Sequence, residues 1–519
     1  VNQEVRRLDC TETIVTMVVS KYAKCDPMKS EFTERAHRLP AHGLGLSVDV
    51  YSPDLLELVR ALRDAALEPD YLEIFKATTS AQQWMRQQLP DLKLTYHGEG
   101  LWSTQPEFCR SGSGRQGVAE ACAQLAALRS AWLNHECATK QMAGYAFGTY
   151  LPPLYTELSA RMTAENVAYL QSQVDQDAHR REIDPALVLL EMPPLTYFGC
   201  GALPIPDFFR AVTDQASCGL VLDIGHLWTV YRYTGSWQRQ RLEEFAAQFL
   251  DAFPMERVIE IHVAGLAELT IPHASGIDAS GNALPYWIDA HGAPIPGVLF
   301  DLLAQVLSHP GLTSLKGVAL EVDTKPIAMI VEEFKQFRER FGTTVQAMLH
   351  RDSPAPVQPQ RSPNARSAER RQLTSEEEAT LQQQYLHYVQ LVTTQDDPSS
   401  IRNLSLLGGS LDDLNRYRET YLPHELLHWG GELQDMFPDT CRALTESDVP
   451  LDRFVAVWFS KPRPEQDDYD FFLLKIDRFV EFATHACPMA AMIVMREAEE
   501  LRAAYRQANE PIGSSQVRA

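Results

Sequence analysis

Val258-Ile259-Glu260-Ile261-His262-Val263 reads as a strand with its chemistry on one face. Side chains alternate along an extended chain, so Glu260 and His262 share a side while Ile259 and Ile261 turn toward outer helices. An inward imidazole and carboxylate are costly unless they pair or bind a metal. The pattern recurs. Leu189-Leu190-Glu191, Leu220-Val221-Leu222-Asp223 and Val318-Ala319-Leu320-Glu321 each run apolar into a carboxylate. Thr95-Tyr96-His97 and Leu133-Asn134-His135 run into an imidazole. Any one of these is most simply a hydrogen-bonded core residue. Five strands ending alike are poorly explained that way.

Working outward, strand and helix signals alternate for about 300 residues, the order of an α/β chain folded as a (β/α)8 TIM barrel. Strands are expected at 44–50, 71–75, 92–96, 132–135, 187–191, 220–223, 258–263 and 318–322. Amphipathic helices are expected at 53–66, 118–130, 156–175, 242–253 and 298–307, with 327–341 closing the ring. The barrel domain is placed at 42–345, behind an N-terminal extension at 1–41. Residues 346–372 have linker composition, with Pro354, Pro356, Pro359 and Pro363 among Arg361, Arg366, Arg370 and Arg371. A mainly helical domain then spans 373–511, with helices at 376–391, 411–417, 451–459 and 468–504, the last broken near Pro488. Its start, Thr374-Ser375-Glu376-Glu377-Glu378, carries N-cap chemistry and acids in the first turn. Residues 512–519 form a tail.

The chain has 519 residues and a formal net charge of −22. That length argues for more than one core. That charge argues against a nucleic-acid partner, because phosphate neutralisation needs a surplus of Lys and Arg. A small-molecule or peptide substrate fits better. No apolar run reaches membrane-spanning length; 14–19 is too short and is followed by Lys21, so no membrane partner is expected. Nine cysteines without a CxxC read as reduced thiols in a cytoplasmic protein. Cys122, Cys218 and Cys441 have apolar neighbours, and Cys10 and Cys25 lie in the extension.

The metal-competent residues at the strand ends are His97, His135, Glu191, Asp223, His226, His262, Asp289, His291 and Glu321. One such residue per strand end is how a barrel gathers ligands from distant parts of a chain. Asp223 and His226 are three apart, as when a strand-end ligand is followed by one from the next turn. Asp289 and His291, two apart, could grip one ion. Imidazoles with carboxylates and no cysteine fit iron, zinc or manganese better than calcium, and bridging carboxylates make more than one ion feasible.

This set, in this order, resembles two relatives of the xylose-isomerase-like barrel. One is the trinuclear zinc nuclease of the endonuclease IV type. The other is the multinuclear non-haem iron-dependent oxidative enzyme family, which includes the methanobactin-forming oxidase. Local text favours the second. His97-Gly98-Glu99-Gly100-Leu101 resembles its His-Gly-Val-Ser-Leu turn, and Asn134-His135-Glu136 with Leu151-Pro152-Pro153-Leu154-Tyr155-Thr156 its Ser-Glu-His and Leu-Pro-Leu-Pro-Tyr-Thr segments. Leu189-Leu190-Glu191, Glu260-Ile261-His262-Val263-Ala264-Gly265 and Asp289-Ala290-His291-Gly292 with Pro294 resemble three more of its motifs. Met192 stands where that family has Asn, Asp223-Ile224-Gly225-His226 replaces Asp-Val-Asn-Asn, and Glu73-Ile74-Phe75-Lys76 replaces a Glu-Asn-Tyr run. The resemblance implies the nine residues as ligands of two or three irons per barrel, with dioxygen as co-substrate. It implies a ribosomally made precursor peptide as substrate, modified at cysteine. It also implies a peptide-recruiting partner, here fused in cis as 373–511, where Met436-Phe437-Pro438-Asp439-Thr440-Cys441-Arg442-Ala443-Leu444 is similar to a helix start of that partner. The alternative is a zinc phosphodiesterase; a third reading is a peptide-binding module whose ligands are relics.

His424-Glu425-Leu426-Leu427-His428 matches the zinc-protease signature, in which two imidazoles one turn apart hold the metal. Pro423 and Gly430-Gly431 leave it little more than two turns, and Gln434 stands where an extended motif has His. A surface or interface helix is the expectation.

Overall fold

Eight parallel strands close into a barrel: β1 (Gly43–Val48), β2 (Tyr71–Phe75), β3 (Lys93–Gly98), β4 (Trp132–Glu136), β5 (Leu187–Glu191), β6 (Gly219–Asp223), β7 (Val258–Val263) and β8 (Gly317–Glu321). Ring order follows chain order, with β8 pairing β1 in register Gly43 to Gly317 through Ser47 to Glu321. The structure is a computed structural model and describes residues 27–268, 276–277, 283–350, 372–393, 404–408, 410–460, 462 and 471–508. Cys10, Cys25, the Pro/Arg-rich stretch 351–371 and the tail lie outside the described residues.

The expected strands agree with these bounds to within two residues. Helix Pro27–Arg38 in the extension was not expected, nor, within the barrel domain, were Thr79–Gln88, Ile205–Thr213 and Ile224–Tyr233. The last is buried at every position, so no amphipathic period marks it.

The barrel floor is mostly apolar. Helix Pro27–Arg38 sends Phe32 and Ala36, with Leu39 just beyond it, against Tyr71, Trp132, Leu187, Leu189, Val221, Ile259 and Ala319. Ile259 corrects the simple alternation read above. The β6–β7 register runs Leu220 to Val258, then Val221 to Glu260, so one extra residue bulges and Ile259 joins the floor instead of the outer wall. Tyr71 reaches across the floor because β1 and β8 have glycine beside it. A Cβ on Gly45 would lie 2.4 Å from its ring, and one on Gly317 2.6 Å from its hydroxyl.

The C-terminal helices are packed onto the barrel. Tyr385 donates to the Thr104 carbonyl at 2.7 Å, Arg161 pairs with Glu377 at 2.8 Å, and Trp458 donates to the Ala146 carbonyl at 2.6 Å. Leu381, Tyr385, Tyr388, Leu414, Tyr417 and Leu422 share the barrel's outer core. A second core follows, built from Leu433, Phe437, Phe454, Ile476, Phe479 and Val494 with Ala146 of the barrel domain. Among the described residues no helix is long and apolar enough to cross a membrane.

Candidate metal centre

Strand parity decides which side chains enter the upper barrel. On β4, Trp132, Asn134 and Glu136 share one face, and Leu133 and His135 take the other. Trp132 donates to Glu260 in the floor at 2.7 Å, and Asn134 donates to Glu191 at 2.7 Å. Both therefore point inward, and Glu136 follows them.

Glu191, the last residue of β5, is the hub. Its carboxylate lies 3.2 Å from His97 Nε2, 3.1 Å from His262 Nδ1 and 4.0 Å from His226 Nδ1. Glu321 lies 3.2 Å from His262 and 3.4 Å from His291. Asp289 lies 3.6 Å from His226 and 3.3 Å from His291, and Asp223 lies 3.7 Å from His226. Eight of the nine expected residues thus meet in one chamber at the C-terminal ends of the strands.

The ninth, His135, is not among them. Its Nε2 is 2.9 Å from Ser103 Oγ, on the helix side of the strand, and burial, with the charge of His97, drives its pKa down to about 3. The inward position belongs to the next residue, Glu136. Glu136 forms a group with Glu191 and His226 whose ligand atoms lie within 4.8 Å of one another.

Two more groups of that kind are Glu73, His262, Glu321 and Glu191, Asp223, Glu321. Glu73 is not among the nine, although a carboxylate inside Tyr71-Leu72-Glu73-Ile74-Phe75 is the same signal that marks Glu260. It lies 3.0 Å from His262 Nε2 and accepts from Ser47 at 2.7 Å. Asp323 is a second addition; it shares Glu321's parity and meets His291 Nδ1 at 2.5 Å. Glu260 does face inward with His262, but both its oxygens accept from the floor, from Tyr71 at 2.6 Å and Trp132 at 2.7 Å.

The ring orientations suit ligation. His226 donates from Nδ1 to the Met192 carbonyl at 2.7 Å, which leaves Nε2 toward Asp223 and Asp289. His291 Nδ1 faces Asp323, which leaves Nε2 toward Asp289 and Glu321. Outer partners that fix a ring nitrogen in this way are a regular feature of metal-binding histidines.

Electrostatics point the same way. Burial pushes the Glu136 carboxyl up to about 8 and that of Asp223 to about 7, with neighbouring carboxylates adding to both. Burial opposes charge on His97, but Glu191, Glu73 and Glu321 outweigh it and raise the ring to about 9. His226, His262 and His291 are raised as well, against burial, by the acids around them. Glu73 Oε1, His97 Nδ1, Glu136 Oε2, Asp223 Oδ2, Asp289 Oδ1 and Glu321 Oε2 are buried and have no hydrogen-bond partner. So many unmet donor atoms in one acidic chamber fit divalent cations, which would replace the shared protons.

The sequence of residues 43–341 matches the family described as RiPP precursor modification enzyme MbnB/TglH/ChrH. The chain belongs to that family. A UPF0276 protein of Paraburkholderia phytofirmans is 30% identical over 186 residues, 35% of this chain and 49% of that protein. One of Caulobacter vibrioides is 33% identical over 137 residues, 26% of this chain and 40% of its own length. The chain thus spans about half the length, or less, of these curated relatives. Among solved structures, endonuclease IV from Thermus thermophilus aligns with a TM-score of 0.34 at 15% identity, covering 57% of this chain and 99% of that one. The matched residues of the precursor modification family take in the whole barrel and every residue of the chamber.

Proposed function

We propose that the chain is a multinuclear iron-dependent oxidase that modifies a ribosomally made precursor peptide with dioxygen, at cysteine. The observation that carries this reading is the chamber, where unpartnered ligand atoms from six strands or mouth loops converge. The family description supplies the peptide.

Three overlapping groups of side chains could each hold an ion. Glu73, His262 and Glu321 would hold one ion, Glu136, Glu191 and His226 a second, and Glu191, Asp223 and Glu321 a third. Glu191 and Glu321 each belong to two of these groups. His97, Asp289 and His291 complete the surround. Bound iron would supply the redox chemistry and an open coordination position for the substrate sulfur, a soft ligand that iron accepts well. The residues do the rest. Met192 and Asp323 fix the ring nitrogens of His226 and His291. The packed floor of Phe32, Tyr71, Trp132 and Ile259 excludes water from below. Residues 373–511 would recruit the peptide in cis, at the high local concentration a covalent link provides. The described cysteines are all unpaired by disulfide, in keeping with a cytoplasmic setting.

The test is metal analysis after anaerobic purification, followed by dioxygen uptake with a short peptide encoded beside the gene. Two or three irons and peptide-dependent uptake are expected. Three zincs with nicking of abasic DNA would replace the oxidase with a phosphodiesterase.

A further inference from the structure

We propose that the segment 417–429 is a wall of the metal chamber, with Tyr421 a positioning residue supplied by the C-terminal region and Lys140 the latch that holds it shut. The proposal rests on the metal-centre reading above.

Tyr421, Glu425 and Trp429 are spaced four apart, so the helical part of the segment presents them as one stripe. The stripe faces the hairpin that follows β4, formed by Thr139–Met142 and Tyr145–Leu151. Tyr421 ends a π-helical turn, Tyr417–Tyr421, a geometry that often marks functional positions. Its hydroxyl lies 3.3 Å from Thr149 Oγ1 and also hydrogen-bonds Thr196. Thr149 belongs to the loop leaving Glu136, and Thr196 to the loop leaving Glu191. One phenol from the C-terminal region therefore ties together the two segments that follow Glu136 and Glu191, two members of a candidate ion group.

The lower half of the stripe is a latch. Lys140 Nζ lies 3.9 Å from the Trp429 ring centre and 4.4 Å from that of Tyr150, and 2.5 Å from Glu99 Oε1. The Glu425 carboxylate adds its charge to the same ammonium. Glu99 is two residues beyond His97 and feels its charge, so the latch begins beside a strand end of the chamber. Within the pair Glu99 is 44% exposed and Lys140 only 8%, with the lysine clamped between the rings of Tyr150 and Trp429. The far side is braced by Lys475, which donates to the carbonyls of Leu427, Trp429 and Gly431 at 2.8, 2.9 and 2.7 Å. Gly430 and Gly431 take φ of 72° and 110°, a turn that favours glycine and brings Trp429 back over Lys140.

This assigns the His424-Glu425-Leu426-Leu427-His428 match. Its imidazoles stack on each other at 4.0 Å on the exposed side, while Glu425 turns into the seam. The spacing serves the contact with the barrel.

The full chain loaded with Co(II) and titrated with azide, followed by its visible spectrum, tests the wall. K140M and W429A are expected to retain cobalt yet bind azide at least about fivefold faster. Y421F is expected to shift azide affinity severalfold, K140R to restore wild-type behaviour, and M492A, on an exposed surface, to change nothing. Hydrogen exchange of residues 139–151 in the metal-free chain should quicken about tenfold in K140M and W429A. Azide rates and affinities within twofold of wild type in K140M, W429A and Y421F would overturn the wall. A wild-type chain that takes up no cobalt refutes the metal reading instead. The exchange measurement then decides the latch alone, and unchanged exchange overturns it.

Discussion

Exchanging the roles of two adjacent residues gives the sharpest test of the chamber. Glu136 faces inward beside Glu191 and His226, and His135 faces outward against Ser103. In the metal-free chain burial holds the Glu136 carboxyl near 8, against 4.5 in the unfolded chain. The sign follows: the unfolded chain gives up this proton above pH 4.5 and the folded chain keeps it, so stability falls as pH rises through that window. At pH 7 the cost is on the order of 2–3 kcal/mol, allowing for solvent in the chamber. Glu136→Gln removes that cost and should raise the melting temperature of the metal-free protein. The same change deletes a charged donor. Loss of an outer partner alone typically costs about 10–100-fold in metal affinity, so loss of a direct donor should cost at least about a hundredfold. His135→Gln should do the reverse. It leaves metal affinity within about threefold but costs about 1–3 kcal/mol of stability, as Ser103 loses a buried partner. Differential scanning fluorimetry with and without Fe(II) or Co(II), with chelator competition, reads both quantities. If His135→Gln abolishes metal uptake while Glu136→Gln spares it, the parity argument for β4 is wrong.

Three further outcomes are expected. Metal affinity should rise with pH from about 6 to 9, because His97, at about 9, and the raised His226, His262 and His291 must lose protons to ligate; calorimetry in buffers of different ionisation enthalpy counts the protons released. His42 is held neutral by burial, its pKa lowered to about 4, so the unfolded chain gains a proton that the folded chain refuses as pH falls below 6.5. Its contribution is lost between pH 6.5 and 4, and His42→Gln should recover on the order of 2–3 kcal/mol there, read by urea unfolding at pH 4.5 and 7. Gly317→Ala would set a methyl 2.6 Å from the Tyr71 hydroxyl, and should cost about 1–3 kcal/mol in the same assay.

The barrel is legible in the sequence because its signal is repeated. Most strands are short apolar runs with a polar residue at or near the end, as in β4, β5, β6 and β8, and β2, β5 and β7 begin and end where the expected runs do. The chamber is legible where a carboxylate or imidazole closes such a run, as at His97, Glu191, Asp223 and Glu321. It misleads at β4, because Asn134-His135-Glu136 offers three polar residues in succession and only parity, counted from Trp132, selects the third. Glu73 escapes for the opposite reason: it sits inside a run, where a charge looks like an exception to the strand. The bulge at Ile259 has no sequence mark at all, since it is a property of the pairing between β6 and β7.

The excess of acids in the chamber explains why one chain would carry its ligands on so many separate strands. Glu73, Glu136, Glu191, Asp223, Asp289 and Glu321 outnumber His97, His226, His262 and His291, and in the metal-free protein some of these acids must stay protonated. Asp223 near 7 and Glu136 near 8 are where that compromise falls. A single strand end with a lone carboxylate could find a hydrogen-bond partner. Six in one cavity cannot all do so, and each unmet oxygen is a standing cost of folding without cations. Binding divalent ions would cancel the repulsion and stabilise every strand that supplies a ligand, by RT ln(1 + [M]/Kd) for each independent ion, about 2.7 kcal/mol at a hundredfold excess over Kd. Metal uptake and ordering of the upper barrel would then be one equilibrium. A chelator should loosen β4, β5 and β6 at their C-terminal ends before it loosens the apolar floor around Phe32, and hydrogen exchange that quickens first at the floor would contradict this.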